Sequence, residues 1–119
     1  MKVSIKPSEP LALMFADDGF IPNNPRLPCL IYRKAIDLAG ASNPEELIEK
    51  IFTKNGWGKI WRNGILPYAQ YHAMIHETLA IARGRAKVRF GGAQGQELDL
   101  VGGDVVVLPA GTGHQGVWS

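Results

Sequence analysis

The histidines of this chain are His72, His76 and His114, and two of them sit just before Glu77. Imidazole and carboxylate are the usual ligands of borderline divalent metals. Two histidines and one carboxylate on neighbouring strands can cap one face of an iron or manganese ion, leaving positions open for substrate or oxygen. Strands suit this task because their backbones are stiff and alternate side chains enter one lumen. A single barrel histidine is more often a hydrogen-bonded core or surface group, so the chemistry rests on the set.

Strand alternation selects which members of the set converge. Gln70 and His72 lie two residues apart and share a face. Glu77, Leu79 and Ile81 share a face along the next strand, which turns His76 the other way. The expected ligands are therefore His72, Glu77 and His114, with Gln70 as a fourth through its amide oxygen. His76 is expected to support the site from outside it. Free imidazole titrates near neutrality, which makes His76 the candidate proton carrier.

These residues need elements to hold them. Residues 11–15 read as a first buried strand, closed by Asp17-Asp18-Gly19. Pro22-Asn23-Asn24-Pro25 is loop by composition, and a strand follows over 30–32. One helix is well marked over 43–55. Asn43 suits its N-cap, Pro44 its first position, and Glu45 and Glu46 the positive end of its dipole. Leu47, Ile48, Ile51 and Phe52 form its apolar stripe, and Gly56 suits the left-handed position after it. Short strands then follow at 59–61, 77–83, 85–90, 96–101 and 104–108, with turns at Asn63-Gly64, Gly84 and Gly102-Gly103. In the 85–90 strand Ala86, Val88 and Phe90 alternate with Arg85, Lys87 and Arg89, as a half-buried antiparallel strand does.

The bulk numbers bound the answer. A chain of 119 residues suits one domain over 1–119, with strands and the helix in 1–63 and the chemistry in 64–119. The 14 Gly and 8 Pro supply the turns that an all-β fold needs. A net charge of +2, with no block of like charge, is too small to imply a nucleic-acid partner, and none is expected. Cys29 is the lone cysteine, in the apolar run Pro28-Cys29-Leu30-Ile31-Tyr32, and is expected as a small buried hydrophobe. The start lacks the apolar core of a signal peptide and no run is long enough to cross a membrane, so a cytoplasmic protein with no membrane partner is expected.

Two spacings carry a family resemblance. Gly64, five residues, Gln70-Tyr71-His72, four residues, Glu77, six residues and Gly84 resemble the first cupin motif. Gly103-Asp104, four residues, Pro109-Ala110-Gly111, two residues and His114 resemble the second. The chain is most similar in pattern to the small bacterial YjlB-like cupins. That likeness runs through Ile21-Pro22-Asn23-Asn24-Pro25, Leu30-Ile31-Tyr32, Asn55-Gly56-Trp57, Trp61-Arg62-Asn63-Gly64-Ile65 and Leu108-Pro109-Ala110-Gly111-Thr112-Gly113-His114.

The resemblance implies an all-β cupin (RmlC-like) fold, a double-stranded β-helix or jelly-roll barrel with one peripheral helix. It implies a divalent transition metal (Fe, Mn, Zn or Ni) and a small-molecule ligand, with oxygenase or isomerase chemistry if the barrel is an enzyme. The alternative is a non-catalytic, metal-free barrel that binds or senses a small ligand. A metal-independent carbohydrate epimerase ranks last: Tyr68 and Tyr71 are available to it, but no His–Asp pairing is. Two departures stand out. Gln70 replaces a usual His, and relatives often carry a further His at Ala69. The chain also stops at Ser119, with Trp118 where the motif often closes on Asn, so the expected barrel lacks its C-terminal strand. That shortfall implies a homodimer or strand exchange through residues 11–15 or the strand ending at Trp118.

Overall fold

The computed structural model describes residues 9–58 and 71–118. Among them are seven strands and one helix. In chain order these are β1 (Leu11–Leu13), β2 (Cys29–Tyr32), α1 (Pro44–Lys54), β3 (Glu77–Ala80), β4 (Arg85–Phe90), β5 (Gln96–Val101), β6 (Val105–Leu108) and β7 (His114–Trp118). They form two antiparallel sheets, ordered β1-β2-β6-β3 and β5-β4-β7.

Alternation along the strands shows how the sheets meet. Cys29 and Ile31 of β2 and Val106 and Leu108 of β6 share one core with Ala86, Val88 and Phe90 of β4 and Leu100 of β5. The two sheets therefore face each other across these side chains. Burying each large apolar side chain contributes about 1.5–3 kcal/mol, which makes this shared layer the main support of the fold. The next residues along the same strands turn outward. Tyr32, Ala80 and Val105 meet Leu47, Ile48 and Ile51 of α1 in a second cluster with Ala35 and Ile36. The helix thus covers the outer face of the four-stranded sheet.

Local chemistry accounts for the ends of α1. The Asn43 side chain accepts from the Glu46 N–H at 3.1 Å, Pro44 opens the helix, and Gly56 follows it at φ 87°. Several strand ends differ from their sequence-based bounds. β1 stops at Leu13 and β3 at Ala80. β6 begins at Val105, since the Asp104 N–H is held by the Val101 carbonyl at 3.0 Å in the preceding turn, where the Asp104 carboxylate also lies. It is fully buried and accepts from the Lys34 and Val101 N–H groups, both at 2.8 Å, and from Arg33 Nη1 at 3.0 Å. β7 is the strand expected to end at Trp118, and it begins at His114 itself. The expected 59–61 strand and the Asn63-Gly64 turn lie outside the described residues. Among the described residues no helix is long and apolar enough to cross a membrane.

Candidate functional site

The site lies at one end of the two sheets. Register aligns Leu13, Cys29, Leu108 and Glu77 in one row across β1, β2, β6 and β3. Leu108 and Cys29 belong to the inner core, so Glu77 enters from the same inner face, at the row nearest the end of the sheet. In the opposite sheet His114 pairs with Phe90 and is buried beside it. Glu77 and His114 thus approach each other from facing sheets.

His72 completes the approach by another route. Its Nε2 lies 3.4 Å from Glu77 Oε1. It does so from an irregular segment rather than a strand, since residues 71–76 form no strand. The alternation used to pair it with Gln70 therefore does not describe His72, and Gln70 lies outside the described residues. The segment is held by the turn at residues 109–113. Gly111 donates its N–H to the His72 carbonyl at 2.8 Å, and Ala110 donates to His76 Nδ1 at 2.9 Å. A ring nitrogen that accepts must be unprotonated, so this bond places the His76 proton on Nε2. His76 fastens the loop and leaves Glu77 to His72.

The turn itself needs Gly111. It sits at φ 94°, and a Cβ there would lie 2.7 Å from the Asn23 carbonyl oxygen. Asn23, expected as part of a loop and of the stretch that carries the family resemblance, is a buried junction of the site. Its Nδ2 donates to the Ala16 and Gly91 carbonyls at 2.9 and 3.0 Å, and its Oδ1 accepts from the Gly113 N–H at 3.0 Å. Gly113 immediately precedes His114. The one sequence signal for this role is that Asn tolerates the left-handed backbone, here φ 54°.

The electrostatics fit a ligand role for His114. Burial pulls its pKa below the ordinary imidazole value. The Glu77 charge and the nearby Thr112 backbone oppose that shift, and His72 adds to it. His114 is thereby kept neutral, the form that binds metals. Its Nδ1 is buried and has no hydrogen-bond partner. Two imidazoles and a carboxylate suit a borderline divalent ion, so the donor chemistry fits such a metal. Among the described residues, however, no three His, Cys, Asp or Glu side chains are gathered closely enough to hold one. His72 and Glu77 touch, while His114 feels both without closing a shell around an ion.

Of the remaining candidates, Tyr71 is exposed at the start of the same loop, and Tyr68 lies outside the described residues. Cys29 is buried in the shared core, where desolvation pushes its thiol up to about 12. It packs as a hydrophobe and takes no part in the site.

Among known proteins, the chain is similar to the uncharacterised protein YjlB of Bacillus subtilis (strain 168), with 41% identity over 101 residues. The match covers 85% of this chain and 58% of that relative, so the chain spans less than two thirds of the relative's length. No family model matches the chain, and no solved structure matches it. The chain is therefore a mostly β protein similar to an uncharacterised bacterial one.

Proposed function

We propose that this chain is a metal-binding barrel of the cupin type that accepts a small organic molecule between its sheets. The observation that carries this reading is the approach of His72, Glu77 and His114 from three separate segments to one end of the core. In it, His72, Glu77 and His114 hold a divalent transition ion (Fe, Mn, Zn or Ni), with the Gln70 amide oxygen as a fourth donor. The bound ion supplies Lewis acidity toward a substrate oxygen, the basis for oxygenase or isomerase chemistry. The chain's own groups do the rest. His114 is buried opposite Phe90 on the ladder, and Glu77 orients His72. His76 holds the loop through Nδ1 and keeps a proton on Nε2, within one residue of the site. Of these donors His114 is buried, whereas His72 is half exposed and open to an incoming ligand. The same reading has the protein as a cytoplasmic homodimer, with β1 or β7 pairing at a sheet edge.

A second reading is a metal-free barrel that binds or senses a small ligand. It is favoured by the lack of a closed three-donor cluster among the described residues. Elemental analysis of protein purified without an affinity tag separates the two. The metal reading expects a transition metal at partial occupancy, lost in His72→Ala and His114→Ala, retained in His76→Ala and raised in Gln70→His. Thermal unfolding of each variant identifies any loss caused by misfolding. A wild-type protein that stays empty after incubation with zinc, manganese, iron and nickel would make the metal-free barrel the better account.

A further inference from the structure

Among the described residues, four loops frame the end of the molecule where His72, Glu77 and His114 meet. They are residues 14–28, 71–76, 91–95 and 109–113. The last three contain no Asp, Glu, Lys or Arg at all. The first contains Asp17, Asp18 and Arg26, and both carboxylates are engaged in its own turn. Asp17 accepts from the Gly19 N–H, and Asp18 from those of Phe20 and Ile21.

In place of charge, these loops present apolar side chains to solvent. Met14, Phe20, Leu27, Tyr71, Met74 and Ile75 are exposed, Phe20 and Met74 to 89% and 88%. Among the described residues the other exposed large apolar side chains are Leu11 and Val117, outside these loops. Hydrogen bonds tie the loops to one another. The Ala110 N–H reaches His76, while the Ala110 carbonyl accepts from Asn24 Nδ2, whose Oδ1 holds the Leu27 N–H. Ile21, next to Phe20, packs on Gly113, next to His114. The loops that carry these apolar groups therefore meet at the turn that leads into His114. Scattered exposed apolar residues need no explanation, but a cluster beside convergent polar groups marks a ligand site.

We infer that the molecule taken by this site is small and uncharged, with an apolar body that packs on the rim and an oxygen that reaches the His72–Glu77–His114 end. This rests on the barrel's being a small-molecule site and deepens that reading. A phosphorylated or polyanionic ligand would find no cation in three of the four loops and the single Arg26 in the other, too little to compensate its desolvation. An aliphatic or aromatic body would instead cover Met74, Phe20 and Ile75, gaining affinity in proportion to the apolar area removed from water.

The test titrates the intact, isotope-labelled chain with 4-ethylphenol and with glucose 6-phosphate, following backbone amide shifts. The runs are made on zinc-loaded and on chelator-treated protein. The expected result is that 4-ethylphenol shifts amides within 71–76 and 109–113, whereas glucose 6-phosphate shifts none of them. Met74→Lys, at an exposed position where folding is little affected, should weaken 4-ethylphenol about tenfold, with Met74→Leu close to wild type. Binding to both protein forms, or to the zinc-loaded form alone, supports the inference, and the elemental analysis judges the metal separately. Three results would overturn it: glucose 6-phosphate binding at these amides, 4-ethylphenol binding that ignores Met74→Lys, or no binding of 4-ethylphenol in either form. If the last came with an oligomer that Met74→Lys dissolves in light scattering, the rim would instead be an interface between copies.

Discussion

The Asn23 side chain offers one acceptor oxygen and two amide hydrogens, and the fold uses them on three different backbone groups. A buried amide satisfied in this way adds little net stability while intact, but removing it strands its partners. Asn23→Ala should destabilise the protein by about 3 kcal/mol, since it withdraws the partner of the Gly113 N–H and of two carbonyls and places Ala at a left-handed φ. Asn23→Gly loses the same bonds but relieves the backbone, and should be milder than Ala by about 1 kcal/mol. Urea unfolding midpoints of the two variants separate the hydrogen-bond share from the conformational share. Equal stability of wild type and Asn23→Ala would remove Asn23 as the junction that places His114. Cys29 shows the opposite case at this scale. Its thiol has polar chemistry available, and burial alone disables it.

The elements differ in how locally they are determined. In α1 the cap, the opening proline, the early acids and the apolar stripe lie within one short stretch, and each is a nearest-turn effect. Asn43→Ala should therefore cost about 1 kcal/mol, measured as a lowered chemical-unfolding midpoint with the unfolding slope unchanged. The β4 strand is equally local, because its two-residue period sorts Ala86, Val88 and Phe90 inward without reference to any partner. The 71–76 segment has no such period. Its shape comes from hydrogen bonds to the 109–113 turn, reaching 34 residues along the chain from His76 to Ala110. For this reason the strand expected to carry His72 is a pinned loop.

At the scale of the molecule, the two sheets stand or fall together because their inner faces share one core. Phe90 sits in it without exposed surface and pairs across the ladder with His114. Phe90→Ala should cost about 3–5 kcal/mol, through lost transfer energy and the cavity left behind. Thermal unfolding should stay a single transition at a lower midpoint, because both sheets lose the same contact. Separate melting of the sheets, or a midpoint near that of wild type, would contradict a shared core. A Phe90→Ala protein that still folds should also hold less metal, if the proposed site is right, because Phe90 is the ladder partner of His114 and its loss loosens the strand that carries that ligand.

Much of this was present in the order of residues alone. Period and caps defined α1 and β4, turn glycines separated the later strands, and residue chemistry singled out His72, Glu77 and His114. These are short-range properties, set by backbone sterics and the alternation of side chains. Tertiary structure alone decided the rest. It set the facing of the two sheets, the pairing of His114 with Phe90, the loop that delivers His72 and the role of Asn23. Each depends on contacts between residues far apart in the chain. Such contacts are selected by the burial of a shared core and by the need of buried backbone groups for partners, neither of which a local pattern encodes.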